Sequence, residues 1–306
     1  MIKKELLYLE ESFIHRIDKY LADLIEEVSR TELKEYFTQG KILVNGKVVK
    51  PSYKLETNDV IVVEEIEQDE IDMVKENIPL DIVYEDDDLI VVNKPSGLVV
   101  HPAPGHTHGT LVNGLLYHCN QLSNMNGDIR AGIVHRIDKD TSGLLVVCKN
   151  NYAHRILAEQ LKEKTTTRTY IAIVTGNISH NLGRIEAPIG RDPSNRQKMA
   201  VVQNGKSAVT HFKVLDRYRD FTLLELKLET GRTHQIRVHM AYINHPVVGD
   251  PLYGVKKQTT EFGQYLHAKT LGFVHPRTNE YMEFTSELPE EFIRKIDELP
   301  KYQSQE

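Results

Sequence analysis

Residues 135–147 read His-Arg-Ile-Asp-Lys-Asp-Thr-Ser-Gly-Leu-Leu-Val-Val, a dense polar cluster set directly before a strand-like apolar run. Two carboxylates, two cations and two hydroxyls ending at Gly143 are costly to order unless they build a site, because each must exchange water for a partner. A second polar segment, Thr230-Gly-Arg-Thr-His-Gln-Ile-Arg-Val-His-Met240, complements it. Thr230 or Thr233 is expected to cap a helix, leaving the N–H groups of Gly231–Thr233 beside Arg232 as an anion site. Ile236, Met240 and Ile243 form an apolar stripe from which Arg237 is offset. An arginine entering a cleft beside a packed helix requires a carboxylate, and Asp138 is the candidate; the bland reading makes Arg237 a surface residue with an incidental partner. The tetrapeptide His-Arg-Ile-Asp also occurs at 15–18, so context must separate the two copies.

Other chemistries fare worse. Ala200-Val-Val-Gln-Asn-Gly-Lys-Ser207 fits a relaxed phosphate loop, but that device needs a helix after the loop. Here Ser207–Leu215 alternates like a strand and Asn204-Gly205 reads as a hairpin turn. Neither Gly-x-Gly-x-x-Gly nor Gly-x-Ser-x-Gly occurs. Fourteen histidines invite a metal. His234 and His239 are five apart, however, which does not place two ligands on one helix face. His101, His106 and His108 sit in a Pro/Gly loop, where histidines shape turns or meet phosphate. No metal and no cofactor is expected.

The elements that must position these groups fall into two blocks. A length of 306 residues suggests about two domains. The composition, 40% hydrophobic and 27% charged, is that of a soluble globular protein. The acid-interrupted start does not read as a signal peptide, and no apolar run approaches bilayer length. Two cysteines give no disulfide framework, Cys148 reading as a small buried side chain. A cytoplasmic protein, monomeric and away from membranes, is expected. The net charge of −6 argues weakly against nucleic acid. Phosphate binding needs only a local basic surface, however, and Lys and Arg cluster along 184–237.

Residues 1–65 form the first block. A helical stripe runs over 16–27, Ser29 and Glu32 have capping-box spacing before a helix ending at Gly40, and Asn45-Gly46 joins a hairpin. Residues 66–78 are an acidic linker expected to repel itself and stay extended. The second block, 79–300, alternates short strands, many joined by hairpin signals, with a few helices. An α+β fold with a mixed, largely antiparallel sheet flanked by helices around a central cleft is predicted; residues 301–306 read as a mobile tail.

Arg-Ile-Asp-Lys-Tyr-Leu-Ala, Ser-Arg-Thr and Gly-Lys-Ile-Leu-Val-Asn-Gly-Lys-Val-Val in the first block resemble the alpha-L RNA-binding motif of ribosomal small-subunit protein four. The resemblance implies an RNA surface at Lys19, Arg30, Lys34, Lys41 and Lys47. In the second block the resemblance is to the RluD/RluA-type ribosomal pseudouridine synthases. It rests on Val92–Pro102, Gly132–Leu145, Arg168–Gly176, Gly231–Met240, His245–Tyr253 and Leu266–Leu271.

That resemblance implies a cofactor-independent isomerase turning uridine into pseudouridine in RNA, chiefly large-subunit ribosomal RNA, with Asp138 as catalytic residue. The bond from C1′ to N1 must break, the uracil rotate and the bond re-form through C5. A fixed carboxylate would stabilise the cation-like sugar, attack C1′, or act as base at C2′. Arg237 would pair with Asp138 and keep it ionised. Tyr170 would stack on uracil and assist loss of the C5 proton; its bland reading is a half-buried strand residue. Ile236 or Val238 would wall the base, and Arg136 would hold phosphate or fill the gap left by the flipped uridine. His101 and Arg232 join the substrate-binding set. Asp140, Thr141 and Ser142 would shape the loop. A non-catalytic RNA-binding or ribosome-assembly factor that keeps the cleft is the alternative, and a metal-dependent hydrolase using the loop histidines is a second. At 15–18 the tetrapeptide runs into a helical stripe, so Asp18 reads as a helix-start residue.

Overall fold

The structure, a computed structural model, describes residues 3–8, 15–24, 33, 36–64, 74–103, 106–195, 198–258 and 260–301. The chain divides into two compact units, Met1–Asp72 and Met73–Glu306. In the first, β1 (Lys3–Leu7), β2 (Ile42–Val44), β3 (Lys47–Val48) and β4 (Val60–Glu64) form an antiparallel sheet in the order β1-β4-β2-β3, beside α1 (Ile17–Leu24). Strand β1 escaped the sequence reading, because Lys-Lys-Glu-Leu-Leu lacks period-2 alternation; it is held by pairing along β4. Asn45 and Gly46 adopt φ of 51° and 75°, the left-handed pair that a two-residue hairpin demands. Ile17 and Leu21 of α1 pack with Leu33, Phe37, Ile42, Val44 and Ile61. Asp18 sits in the first turn of α1, ion-paired with Arg16 at 2.7 Å. Lys19 and Lys47 are exposed, and Lys41 lies 3.5 Å from Glu64. The Ser29–Glu32 cap, Arg30 and Lys34 lie outside the described residues.

The second unit holds β5 (Ile82–Glu85), β6 (Leu89–Lys94), α2 (Leu111–His118), β7 (Ser142–Cys148), α3 (Asn151–Glu163) and β8 (Thr167–Thr175). It continues with β9 (Leu182–Glu186), β10 (Ile189–Arg191), β11 (Met199–Val201), β12 (Val209–Arg217) and β13 (Phe221–Leu228). It closes with α4 (Gln235–Tyr242), β14 (Leu266–Val274), β15 (Tyr281–Thr285) and α5 (Glu290–Glu298). Nine strands form one mixed sheet in the order β5-β6-β7-β14-β8-β13-β12-β9, with β15 on β14. Every pairing is antiparallel except β7 with β14. This is the α+β architecture expected.

Period-2 alternation assigns the two faces. Tyr170, Ala172 and Val174 of β8 pack with Val92, Leu145 and Leu226, under Leu111 and Leu115 of α2 and Ile236 and Met240 of α4. On the other face, Leu144 and Val146 meet Ala153 and Leu157 of α3, and Ile171 and Ile173 share a cluster with Phe292 of α5. Thr110 and Asn113 form a capping box on α2, and the Asn150 side chain caps α3 by accepting from Ala153 N at 2.9 Å. Among the described residues no helix is long and apolar enough to cross a membrane.

Several expectations need correction. Asn204-Gly205 is a turn, but β11 pairs with β10 while β12 pairs with β9 and β13, so the turn joins no hairpin ladder. Gly205 lies so close to Ile189 that a Cβ would fall 2.7 Å from its backbone N, and this contact turns the chain toward β10. Strands β9 and β10 were not anticipated, and β14 begins at Leu266, five residues before the expected Leu271. The acidic stretch is not a free spacer throughout. Asn113 Nδ2 donates to Val74 O at 2.8 Å, Glu76 N donates to Asn113 O at 3.1 Å, and Gly109 N donates to the Glu76 carboxylate at 2.9 Å.

Candidate active site

The loop 135–141 enters β7 at Ser142, and the strand's second residue explains how. Gly143 has φ +108°, and a Cβ there would lie 2.3 Å from Ala268 O. Only glycine lets β7 approach β14 this closely, pairing Gly143 with Ala268. The loop is then pinned from two sides. Lys94, 1% exposed, donates from Nζ to Pro95 O and Lys139 O, both at 2.7 Å. Gly97 N donates to Lys139 O at 3.0 Å, and Ser96 Oγ to Asp140 O at 3.0 Å. Gln264 Nε2 donates to Thr141 Oγ1 at 3.0 Å, while Ser142 Oγ bonds His267 Nδ1 at 2.9 Å. Thr141 and Ser142 therefore shape the loop, as expected of short polar side chains. Burial pushes the Lys94 ammonium down to about 7, against the raising influence of Asp140 and Asp138.

Asp138 opens into a cleft of about 370 Å³ that Arg136, Arg168, Tyr170, Arg232, Ile236 and Arg237 also line. Its carboxylate is 18% exposed and accepts from Arg237 Nη1 at 2.8 Å. Arg237, 4% exposed, spends its other edge on Asp250, with Nε to Oδ2 at 2.7 Å and Nη2 to Oδ1 at 2.9 Å. The Asp250 side chain is 0% exposed and also accepts from Leu252 N and Tyr253 N at 2.8 and 3.0 Å. Burial alone would raise the Asp250 carboxyl and lower the Arg237 guanidinium. The hydrogen bonds and charges of the network reverse both, holding Asp250 below the usual carboxylate range and Arg237 above its ordinary value. One guanidinium thus serves two carboxylates, one sealed and one facing the cleft.

Tyr253 and His234 complete the setting. The Arg237 guanidinium lies 5.2 Å from the centre of the Tyr253 ring, and Tyr253 OH accepts from Met199 N at 2.8 Å. The same hydroxyl is hydrogen-bonded with His234 Nδ1 at 2.9 Å, and His234 Nε2 lies 3.9 Å from Asp138 Oδ1. Burial lowers the His234 imidazolium, against the raising charge of Asp138. His234 adopts φ 56° at the start of α4 with no side-chain cap. The predicted threonine cap is absent: Thr230 Oγ1 donates to Gln235 Oε1, which also accepts from Arg232 N. The amide of Arg232 is thereby satisfied and does not join the expected anion site, and Arg232 donates from Nε to Ser207 O at 3.0 Å.

Tyr170 is buried between Leu226 and Ala268 in the register, on the face toward the cleft. Its hydroxyl has no hydrogen-bond partner among the described residues. Burial raises the phenol, eased by Arg168 and reinforced by Asp138, so Tyr170 keeps its proton. Arg136 is exposed at the mouth and donates from Nη1 to His101 Nε2 at 2.7 Å. His101 in turn donates from Nδ1 to Pro102 O at 2.9 Å, with burial lowering its imidazolium. Ile236 lines the cleft. Val238 does not: it packs against Ile189 and Ala208, because successive helical residues point about 100° apart. His135 accepts from Val146 N at Nε2, and burial, with the Arg168 charge beside it, pushes its imidazolium down to about 3.

Comparison with known proteins decides the family. The profile for RNA pseudouridylate synthase matches residues 88–242, and that for the S4 domain matches 15–61. The chain belongs to the RNA pseudouridylate synthase family. This synthase is 56% identical, over 95% of its length and 96% of the relative's, to the uncharacterized RNA pseudouridine synthase YlyB of Bacillus subtilis (strain 168). Identity is 47% to the ribosomal large subunit pseudouridine synthase D of Pseudomonas aeruginosa, covering 91% and 90% of the two chains. Among solved structures, human RNA Pseudouridylate Synthase Domain Containing 1 is 26% identical with a TM-score of 0.58, covering 74% of the synthase and 98% of the human chain. The protein is an RNA pseudouridine synthase, an isomerase with an S4 RNA-binding domain.

Sequence reasoning missed Lys94, His135 and Arg168 in roles of their own, together with His234 at Asp138, Asp250 and Tyr253. Two signals were present. Lys94 ends a strand that opens Leu-Ile-Val-Val, and Asp250 stands between Gly249 and Pro251 in a turn.

Proposed function

We propose that Asp138 is the catalytic residue and that the substrate is large-subunit ribosomal RNA, as the name of the Pseudomonas relative suggests. The observation that carries this reading is the shared guanidinium. Arg237 is anchored by sealed Asp250 and offers its remaining edge to Asp138, the carboxylate left partly open to the cleft. Breaking the bond from C1′ to N1 leaves positive character on the sugar. An ionised, aimed carboxylate answers it as electrostatic partner, as nucleophile at C1′, or as base at C2′. Arg237 orients Asp138 and disfavours its protonation. Tyr170 supplies a flat apolar face for uracil, and its unpartnered hydroxyl faces the proton leaving C5. Ile236 walls the base. Arg136, steadied by His101, fills the stack vacated by the flipped uridine. Arg232 meets backbone at the cleft edge, while Lys19, Lys41 and Lys47 give the N-terminal unit its phosphate contacts.

The test uses large-subunit rRNA fragments tritiated at uracil C5. The wild-type protein should release tritium and Asp138→Ala should not, with RNA retained on filters by both. Release by Asp138→Ala at the wild-type rate would remove Asp138 from the chemistry, and no release from any fragment would overturn the substrate assignment.

A further inference from the structure

Arg168 is a cleft cation that the reaction scheme leaves unused; Lys162, also on the cleft, is exposed and paired with Glu159. It stands two residues before Tyr170 on β8, hence on the same face of the strand. It is 7% exposed, yet its Nε has no hydrogen-bond partner among the described residues. Among the described residues only Thr166 Oγ1 and Gln264 Oε1 share that condition, and neither carries charge. Arg237, also buried, has two carboxylates; among the described residues no carboxylate pairs with Arg168. Burial depresses its guanidinium, and the titratable groups beside it are Tyr170 and the neutral His135. Its Nη1 lies against Gly231, where a Cβ would come within 2.7 Å, so only glycine leaves room for the guanidinium at that edge of the cleft. A sealed cation without an anion is unfavourable unless a ligand supplies the charge.

We propose that Arg168 receives a backbone phosphate of the bound RNA next to the target uridine. The assignment rests on the reading of this cleft as the uridine site. A phosphate carries a permanent charge, which matches a permanent, uncompensated guanidinium, whereas a uracil carbonyl is neutral until the glycosidic bond breaks. Position agrees: Arg168 and Tyr170 share one face of β8, and both line the cleft that Asp138 enters from the loop before β7.

The experiment is steady-state tritium release by Arg168→Gln and Gly231→Ala on RNA carrying single methylphosphonates around the target. Arg168→Gln should raise KM by roughly 10- to 100-fold, the value of one charge-assisted hydrogen bond, with kcat within about twofold. The slope of log KM against log salt should fall by about 0.7. One methylphosphonate should reproduce the loss in wild type and add nothing in Arg168→Gln. Gly231→Ala should raise KM by crowding Nη1. Wild-type turnover in the same assay separates failure here from failure of the uridine reading. A fall in kcat at unchanged KM would assign the guanidinium to the uracil and overturn the proposal. So would an unchanged KM and salt slope, or the absence of any coupled phosphate. The thermal midpoint of Arg168→Gln should equal or exceed wild type, since an uncompensated charge is removed; a collapsed midpoint would make the arginine structural and defeat the proposal.

Discussion

Asp138 and Asp250 share one arginine, yet their removal should have opposite consequences. Asp250 is fully buried and makes four hydrogen bonds, two to Arg237 and two to backbone amides. Asp250→Asn keeps the shape but removes the charge, leaving Arg237 sealed with only the cleft-facing carboxylate. Breaking a buried pair from one side costs about 3–5 kcal/mol. For a unit spanning Met73–Glu306, each kcal/mol shifts the melting temperature by about 2–4 °C, so a fall of roughly 6–20 °C is expected. Asp138 makes one bond to Arg237 and is 18% exposed. Asp138→Asn leaves the Asp250 pair intact and should cost less than about 1.5 kcal/mol, while abolishing tritium release. The acid limb adds a second signature. Because the folded Asp250 carboxyl is held below its unfolded value of about 3.9, its contribution is present above that pH and lost as pH falls through the depressed value. Asp250→Asn should lack that acid loss. Calorimetry and urea melts from pH 3 to 8 measure both. If Asp250→Asn melted within about 2 °C of wild type, or Asp138→Asn fell as far, the asymmetric sharing would be wrong.

Two further outcomes follow from the loop. Lys94 titrates near 7 when folded and about 10.4 when unfolded. Between these values the unfolded chain binds the extra proton, so stability should rise with pH by at most ~1.4 kcal/mol per unit. The stability of wild type relative to Lys94→Met, from urea melts at pH 7 to 9, should therefore grow with pH; a flat difference would refute the buried, neutral amine. Gly143→Ala would set a methyl 2.3 Å from Ala268 O at φ +108°, so β7 and β14 must part. A loss above ~4 kcal/mol and little soluble protein are expected, and a normal melting curve would contradict the close approach.

How much was legible differs from residue to residue. The cluster at 135–142 announced itself because so many polar groups before an apolar strand have no cheap structural excuse. The pairing of Arg237 with Asp138 was implied by the family resemblance, since its offset from an apolar stripe alone would equally have suited a surface residue, and the 2.8 Å contact bears the pairing out. Val238 was misassigned to the base wall: its neighbour, not itself, faces the cleft. The threonine cap was a sound local expectation that tertiary contacts overrode, since Gln235 reaches back to Thr230 and Arg232 and the chain enters α4 through a left-handed His234. Strands β9 and β10 are short, and the Asn204-Gly205 signal pointed to a hairpin that long-range pairing replaced.

By itself the sequence determined the two-unit organisation, the mixed and largely antiparallel sheet and the family, because each is written in contiguous residues. Tertiary structure alone decided what Arg237 is anchored by, which lysine pins the loop, and which buried arginine lacks an anion. Those facts join residues as distant as Lys94 with Lys139 and Arg168 with Gly231. The physical reason is that burial and electrostatic compensation depend on neighbours brought together by folding. A lone Asp, Lys or Arg carries no local sign of whether its charge will be sealed, paired or left waiting for a ligand.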